Sequence, residues 1–150
     1  MRVLAHGFPV PGGGTAPSLG AFVNVVVHPD LAVARDLVRG SAAIFAHFVS
    51  EGPMDVLSAS DRAAVEPLSS RYVERDHGLG TAAYTGLLPD EFLDRFTVSG
   101  PPDYVVERLR QLAALGLDRL VLVQASRDAA PELVAESNDL LAHQVLPHLR

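Results

Sequence analysis

Ala21-Phe22-Val23-Asn24-Val25-Val26-Val27 runs straight into His28-Pro29-Asp30. Apart from Asn24 the run is apolar, with no alternation of wet and dry positions. A strand with one solvated face alternates, so this one reads as buried on both faces, in a parallel sheet covered by helices. His28-Pro29 ends it, and Asp30 is placed to cap a following helix. Ala34, Leu37, Val38, Ser41, Ile44, Phe45 and Phe48 then recur at three- and four-residue spacing. That is one stripe of an amphipathic helix from Leu31 to about Ser50, with Gly40 as its weak spot.

The last sixty residues repeat the pattern. Phe96-Thr97-Val98 reads as a short strand, and Ser99-Gly100-Pro101-Pro102-Asp103 as a turn into a helix over 103–115. Val105, Leu109, Leu112 and Ala113 share a face of that helix, which stops at Gly116. Leu120-Val121-Leu122-Val123 is a second buried strand. A final helix starts near Pro131, turns Val134, Leu141 and Val145 inward, and ends before Pro147. Strands alternating with helices predict an α/β fold with parallel strands. The expected spatial order is 21–27, 96–99, 120–124, with helices 31–49, 103–115 and 131–145 packed outside.

Between these units, residues 51–88 are irregular. Asp61 to Asp76 allows a helix interrupted at Pro67, and Asp76-His77-Gly78-Leu79-Gly80-Thr81 reads as a turn. A connection this long is usually an active-site insertion. Pro89 is placed at a helical first position ahead of Asp90 to Phe96. Residues 1–18, with three prolines and Gly12-Gly13-Gly14, read as a flexible lead-in.

The chain is one domain by its 150 residues, with a net charge of −6 and no cysteine. The charge argues against nucleic acid or an anionic membrane as main partner. Without cysteine there is neither disulfide nor thiolate chemistry, which fits a cytoplasmic protein. No apolar run approaches the ~20 residues of a membrane span. All twelve basic residues are arginine; coding bias explains that as well as a need for bidentate contacts does. No histidine pair has metal-ligand spacing, so no metal site is expected.

Three stretches together resemble the luciferase-like flavin- or deazaflavin-dependent oxidoreductases, of the methylenetetrahydromethanopterin reductase type. They are Leu19 to Asp30 with Ala34-Arg35 and Leu37-Val38-Arg39-Gly40; Phe92 to Pro102; and Val106 to Leu112 followed by Leu115 to Val123. The resemblance covers residues 19–150. It implies a partial (β/α)8 TIM barrel made of the last three βα units, with an insertion at about 51–88. A full barrel takes about 250 residues. The implied cofactor is FMN or deazaflavin coenzyme F-420, acting on a small-molecule substrate. The alternative is a non-catalytic truncated barrel that persists as an oligomer or pairs with a partner chain. A homo-oligomer is expected in either case, since outer helices would cover one face of Phe22, Val23, Val25, Val26 and Leu120–Val123 and leave the other open.

Each candidate site residue has a functional and a structural reading. Ser99 and Gly100 open a helix after a strand, where (β/α)8 barrels hold phosphate; they read equally as a rigid turn. Arg127 follows the last strand and would clamp a phosphate or carboxylate, or be solvated. His77, in the glycine-rich part of the insertion, is the catalytic candidate as a proton donor. Asn24, His28 and Thr81 are substrate-side candidates. Asn24 and His28 serve equally well as structural groups.

Overall fold

The computed structural model describes residues 18–149, so of the expected lead-in only Ser18 is seen. The chain forms β1 (Gly20–Val27), α1 (Leu31–Ser50), α2 (Ala59–Arg71), α3 (Asp90–Phe96), β2 (Val98–Gly100), α4 (Pro102–Ala113), β3 (Arg119–Val123) and α5 (Pro131–Leu140). A π-turn at Leu141–Val145 and a 3-10 turn at Leu146–Leu149 continue past α5, beyond the expected stop before Pro147. Asp30 caps α1 as expected: its carboxylate accepts from the N–H groups of Ala32 and Val33.

Among the described residues three strands form one parallel sheet, but their order is β2-β1-β3 and not the consecutive order expected. Val25–Val27 pair with Val98–Gly100 on one edge of β1, and Gly20–Asn24 pair with Arg119–Val123 on the other. The physical reason lies in β1, the longest and most apolar strand, which gains most from the centre of a sheet. β2 is three residues long and fills only half of one edge.

This order places helices on both faces, which corrects the expectation of helices on the outside alone. Side chains alternate along a strand. Val23, Val25 and Val27 pack with Val105, Val106 and Leu109 of α4 and with Leu141 and Val145 beyond α5. Val26 points the other way, into Ala34, Leu37 and Val38 of α1. The open inner face that motivated an oligomer shrinks to one end of the sheet, where Phe22, Phe48 and Val121 are 67%, 60% and 40% exposed. β3 is correspondingly half exposed rather than buried, because it is an edge strand.

The insertion builds a core of its own. Val65 and Leu68 of α2, Tyr84, Leu88, and Phe92 and Leu93 of α3 close over Ala42, Ala43 and Ala46 of α1. The inner stripe of α1 therefore switches to its alanines in the second half, leaving Phe45 half-buried and Phe48 exposed. α2 continues through Pro67 instead of breaking, capped by Ser58 and anchored by Ala64, Val65 and Leu68. The buried Asp61 carboxylate pairs with Arg95 of α3. Arg35 makes a two-pronged bond to Asp94, 2.9 and 2.6 Å, fixing α3 to α1.

Boundaries move where side chains cap the elements. The strand expected at Phe96-Thr97-Val98 begins at Val98: Phe96 stacks on Phe92 at 4.1 Å, and the Thr97 N–H and hydroxyl both donate to the Leu93 carbonyl. Pro89 is the N-cap of α3 rather than its first residue. In α4, Leu112 is half-buried and Ala113 exposed, and Gly116 takes φ +85° where the chain turns back. Gly40 is no weak spot. A Cβ there would lie 2.6 Å from both the Gly78 carbonyl oxygen and the Gly80 nitrogen, so its bare backbone is where the insertion loop rests on α1.

A candidate active-site cleft at the ends of the strands

In an open α/β sheet, ligands bind beyond the carboxyl ends of the strands, where successive connections depart in opposite directions. Here that point lies between β1, which continues into α1, and β3, which continues through 124–130 into α5. A cleft of about 370 Å³ opens there, walled by Val33, Leu37, Ala129 and Leu133, with Thr81 and Asp128 at its polar side. The size is at the lower end of small-molecule sites.

The walls are held by backbone contacts. The Ser126 N–H and hydroxyl both donate to the Leu37 carbonyl, at 2.6 and 2.7 Å, and the Gly40 N–H donates to Ser126 Oγ at 2.9 Å. Asp128 then holds the insertion loop: it accepts from the Gly80 N–H (2.6 Å), the Thr81 N–H (3.1 Å) and the Thr81 hydroxyl (2.6 Å). Partial burial pushes the Asp128 carboxyl up, but the Thr81 hydroxyl and the two N–H groups outweigh it and hold the carboxyl below its usual range. A depressed carboxyl adds stability above its unfolded pKa and loses it as pH falls through the folded one. Acid should therefore release this loop. Asp128→Ala should do the same at neutral pH, read as faster amide hydrogen exchange at Gly80 and Thr81 with the sheet unchanged.

Five of the seven candidate residues fall into two groups. His77, Thr81 and Arg127 meet beside the cleft: the Arg127 N–H donates to the Gly78 carbonyl at 2.8 Å, and its exposed side chain reaches the Arg75 carbonyl at 3.5 Å. His77 Nδ1 lies 2.6 Å from the Tyr72 hydroxyl. The second group lies towards β2. Ser99 is buried, its hydroxyl 3.0 Å from that of Thr97, and Gly100 has φ +150° beneath the ring of Tyr104. Among the described residues no side chain caps α4, and since Pro101 and Pro102 carry no N–H, only those of Asp103 and Tyr104 are left at its first turn, beside a hollow lined by Leu31, Asp94, Ser99 and Tyr104.

His28 accepts from the Asp30 N–H at 3.0 Å through Nδ1, with Nε2 3.9 Å from Glu136. α5 crosses the end of β1 here, because β3 has already turned away and the Val27 N–H donates to Ser137 Oγ instead. Asn24 is buried, its Oδ1 without a partner among the described residues.

Sequence reasoning missed Ser126, Asp128 and Tyr72. Ser and Asp after a strand and ahead of Ala-Ala-Pro are loop-capping residues, and that signal was available. Tyr72 had none, since its partners come from three separate segments. Among the described residues no helix is long and apolar enough to cross a membrane, and no three His, Asp or Glu side chains gather as metal ligands.

The sequence profile of the luciferase-like monooxygenases matches residues 10–119. The 5,10-methylenetetrahydromethanopterin reductase of Archaeoglobus fulgidus is 29% identical over 137 residues, covering 87% of this chain and 38% of the reductase. The solved coenzyme F-420 dependent tetrahydromethanopterin reductase of Methanopyrus kandleri aligns at 18% identity with a TM-score of 0.49, over 89% of this chain and 36% of that one. The chain thus spans under two-fifths of the length of either reductase. Matched by the family profile over most of its length, the chain belongs to the luciferase-like monooxygenase family.

Proposed function

We propose that residues 19–150 are the C-terminal part of a luciferase-like (β/α)8 oxidoreductase that works in the cytoplasm with a reduced deazaflavin, coenzyme F-420, or with FMN. The cleft carries this reading, because it joins the family's strand ends to the insertion loop at the place where α/β sheets take ligands. The bound cofactor would supply hydride transfer or oxygen chemistry; the protein supplies position and charge. Arg127, exposed at the rim, would hold a phosphate or carboxylate. Ser99, Gly100 and the N–H groups of Asp103 and Tyr104 form a second anion contact, opposed by the Asp94 and Asp103 carboxylates. Thr81 lies on the substrate side, with His77 as proton donor behind it and His28 and Asn24 towards β1.

In a complete barrel consecutive units are neighbours, so β3 here holds the edge of β1 that another strand would occupy. No further strand that could grip the ring is among the described residues, and this stretch on its own should bind cofactor weakly. Calorimetry with FMN and with F-420 should give weak, saturable heats that Arg127→Ala abolishes. No heat, and no visible band in the purified protein, would favour the second reading. That reading is a non-catalytic α/β module, and the covering of both sheet faces by the chain's own helices supports it. Self-association belongs to either reading, now through the β3 edge and the exposed Phe22, Phe48 and Val121.

A further inference from the structure

The chain contains neither cysteine nor tryptophan, and three tyrosines. The most readily oxidised side chains are therefore largely the tyrosines, and two of them share one cluster. The Tyr72 ring stacks on His47 at 3.9 Å with 4° between planes, and lies 4.6 Å from the ring of Tyr84. Its hydroxyl is 2.6 Å from Nδ1 of His77, whose ring stands edge-on to it. Tyr84 is buried and donates its hydroxyl to the Asp76 carbonyl at 2.8 Å. The third, Tyr104, lies half exposed beside β2.

Removing one electron from a phenol makes its proton strongly acidic, so oxidation is easy only where a base stands ready for that proton. A carbonyl oxygen, the partner of Tyr84, cannot take it; an imidazole nitrogen can. Burial raises the Tyr72 hydroxyl above the usual tyrosine range, so at neutral pH it keeps its proton; in the His77 tautomer that leaves Nδ1 bare, that proton lies on the 2.6 Å line to Nδ1. Gly80 and Thr81, three and four residues after His77, line the cleft, so the chain joins the pair to the candidate site through Gly78 and Leu79.

We propose that Tyr72 and His77 form a proton-coupled redox pair that drains oxidising equivalents from the cleft. A strong one-electron oxidant, a photoexcited aromatic ring or an oxidising radical, takes an electron from the Tyr72 ring and is itself reduced by one electron. The phenolic proton passes along the 2.6 Å bond to His77 Nδ1, leaving a neutral phenoxyl radical and an imidazolium. Tyr84, whose hydroxyl faces only a carbonyl oxygen, stays reduced, and the proton returns from His77 when a soluble one-electron donor of the ascorbate or thiol class re-reduces Tyr72. This function goes beyond cofactor binding and does not need it: any soluble oxidant of sufficient strength should find the same pair.

The test is flash oxidation of the whole chain with photoexcited ruthenium tris(bipyridine) and a sacrificial acceptor, with the radical read by transient absorption and electron paramagnetic resonance. Wild type should give a tyrosyl radical whose formation slows in deuterated solvent. Tyr72→Phe should remove this fast phase, and Tyr104→Phe should leave it. His77→Gln keeps a hydrogen-bonding side chain but not a base, and should slow the phase by about 100-fold with loss of the isotope effect. Melting curves check that the variants fold. A radical that survives Tyr72→Phe but vanishes in Tyr104→Phe would overturn the proposal, as would an unchanged rate and isotope effect in His77→Gln.

Discussion

Replacing Gly40 with alanine is expected to destabilise the protein by roughly 1–3 kcal/mol, the usual range for overpacking a close-fitted contact. The sign is the informative part. Glycine inside a helix normally costs about 0.5–1 kcal/mol relative to alanine, so an ordinary mid-helix Gly→Ala change stabilises. At Gly40 the new methyl would meet backbone atoms of Gly78, Leu79 and Gly80 at 2.6–2.7 Å, and backbone cannot swing aside as a side chain can. The insertion loop must lift, which strains the Gly40–Ser126 bond and the Asp128 clamp together. Gly86 is the control: nothing lies within 4 Å of its Cβ position, so alanine there should be neutral or slightly stabilising. Thermal melting of both variants decides the point, and a stabilised Gly40→Ala protein would mean that the loop does not rest on α1.

The largest single effect is expected at Phe92. Its ring is buried in the insertion core and stacked on Phe96. Phe92→Ala should cost about 3–5 kcal/mol, from lost burial and the cavity left behind. For a domain of this size that lowers the melting temperature by roughly 10 °C. If residues 51–88 were only an active-site loop, the loss would stay local and the melting point would barely move. Because the same core holds Ala42, Ala43 and Ala46 of α1, the whole transition should shift. Denaturant unfolding by two probes, far-ultraviolet circular dichroism and tyrosine fluorescence, should give coincident curves, both moved to lower denaturant.

The irregular stretch 51–88 shows where sequence patterning runs out. The residues that close its core come from α2, from the segment around Tyr84 and Leu88, and from α3, each contributing one or two side chains. No window of that stretch carries a clean helical or strand period. The same holds for the candidate site. Arg127, Thr81 and His77 were individually visible as polar residues in loops, but Asp128 joins two of the segments across forty-seven residues, and only folding brings such groups together.

Local chemistry alone determined the elements with strong patterns. The apolar run of β1, the Asp30 cap, the positive-φ glycine after α4 and the alternation of strand with helix follow from side-chain burial and backbone sterics within a few residues. The family resemblance was legible at the same level, because its motifs are contiguous. The strand order was not. The length and apolar run of β1 suit it to the centre, but β2 and β3 are apolar as well, and which of them takes which edge depends on the helices packed on each face. Tertiary structure placed β1 between β2 and β3, covered the sheet on both sides, and turned Gly40 from a weak point into a contact. In each case the deciding energy lies between segments far apart in the chain, where no local pattern records it.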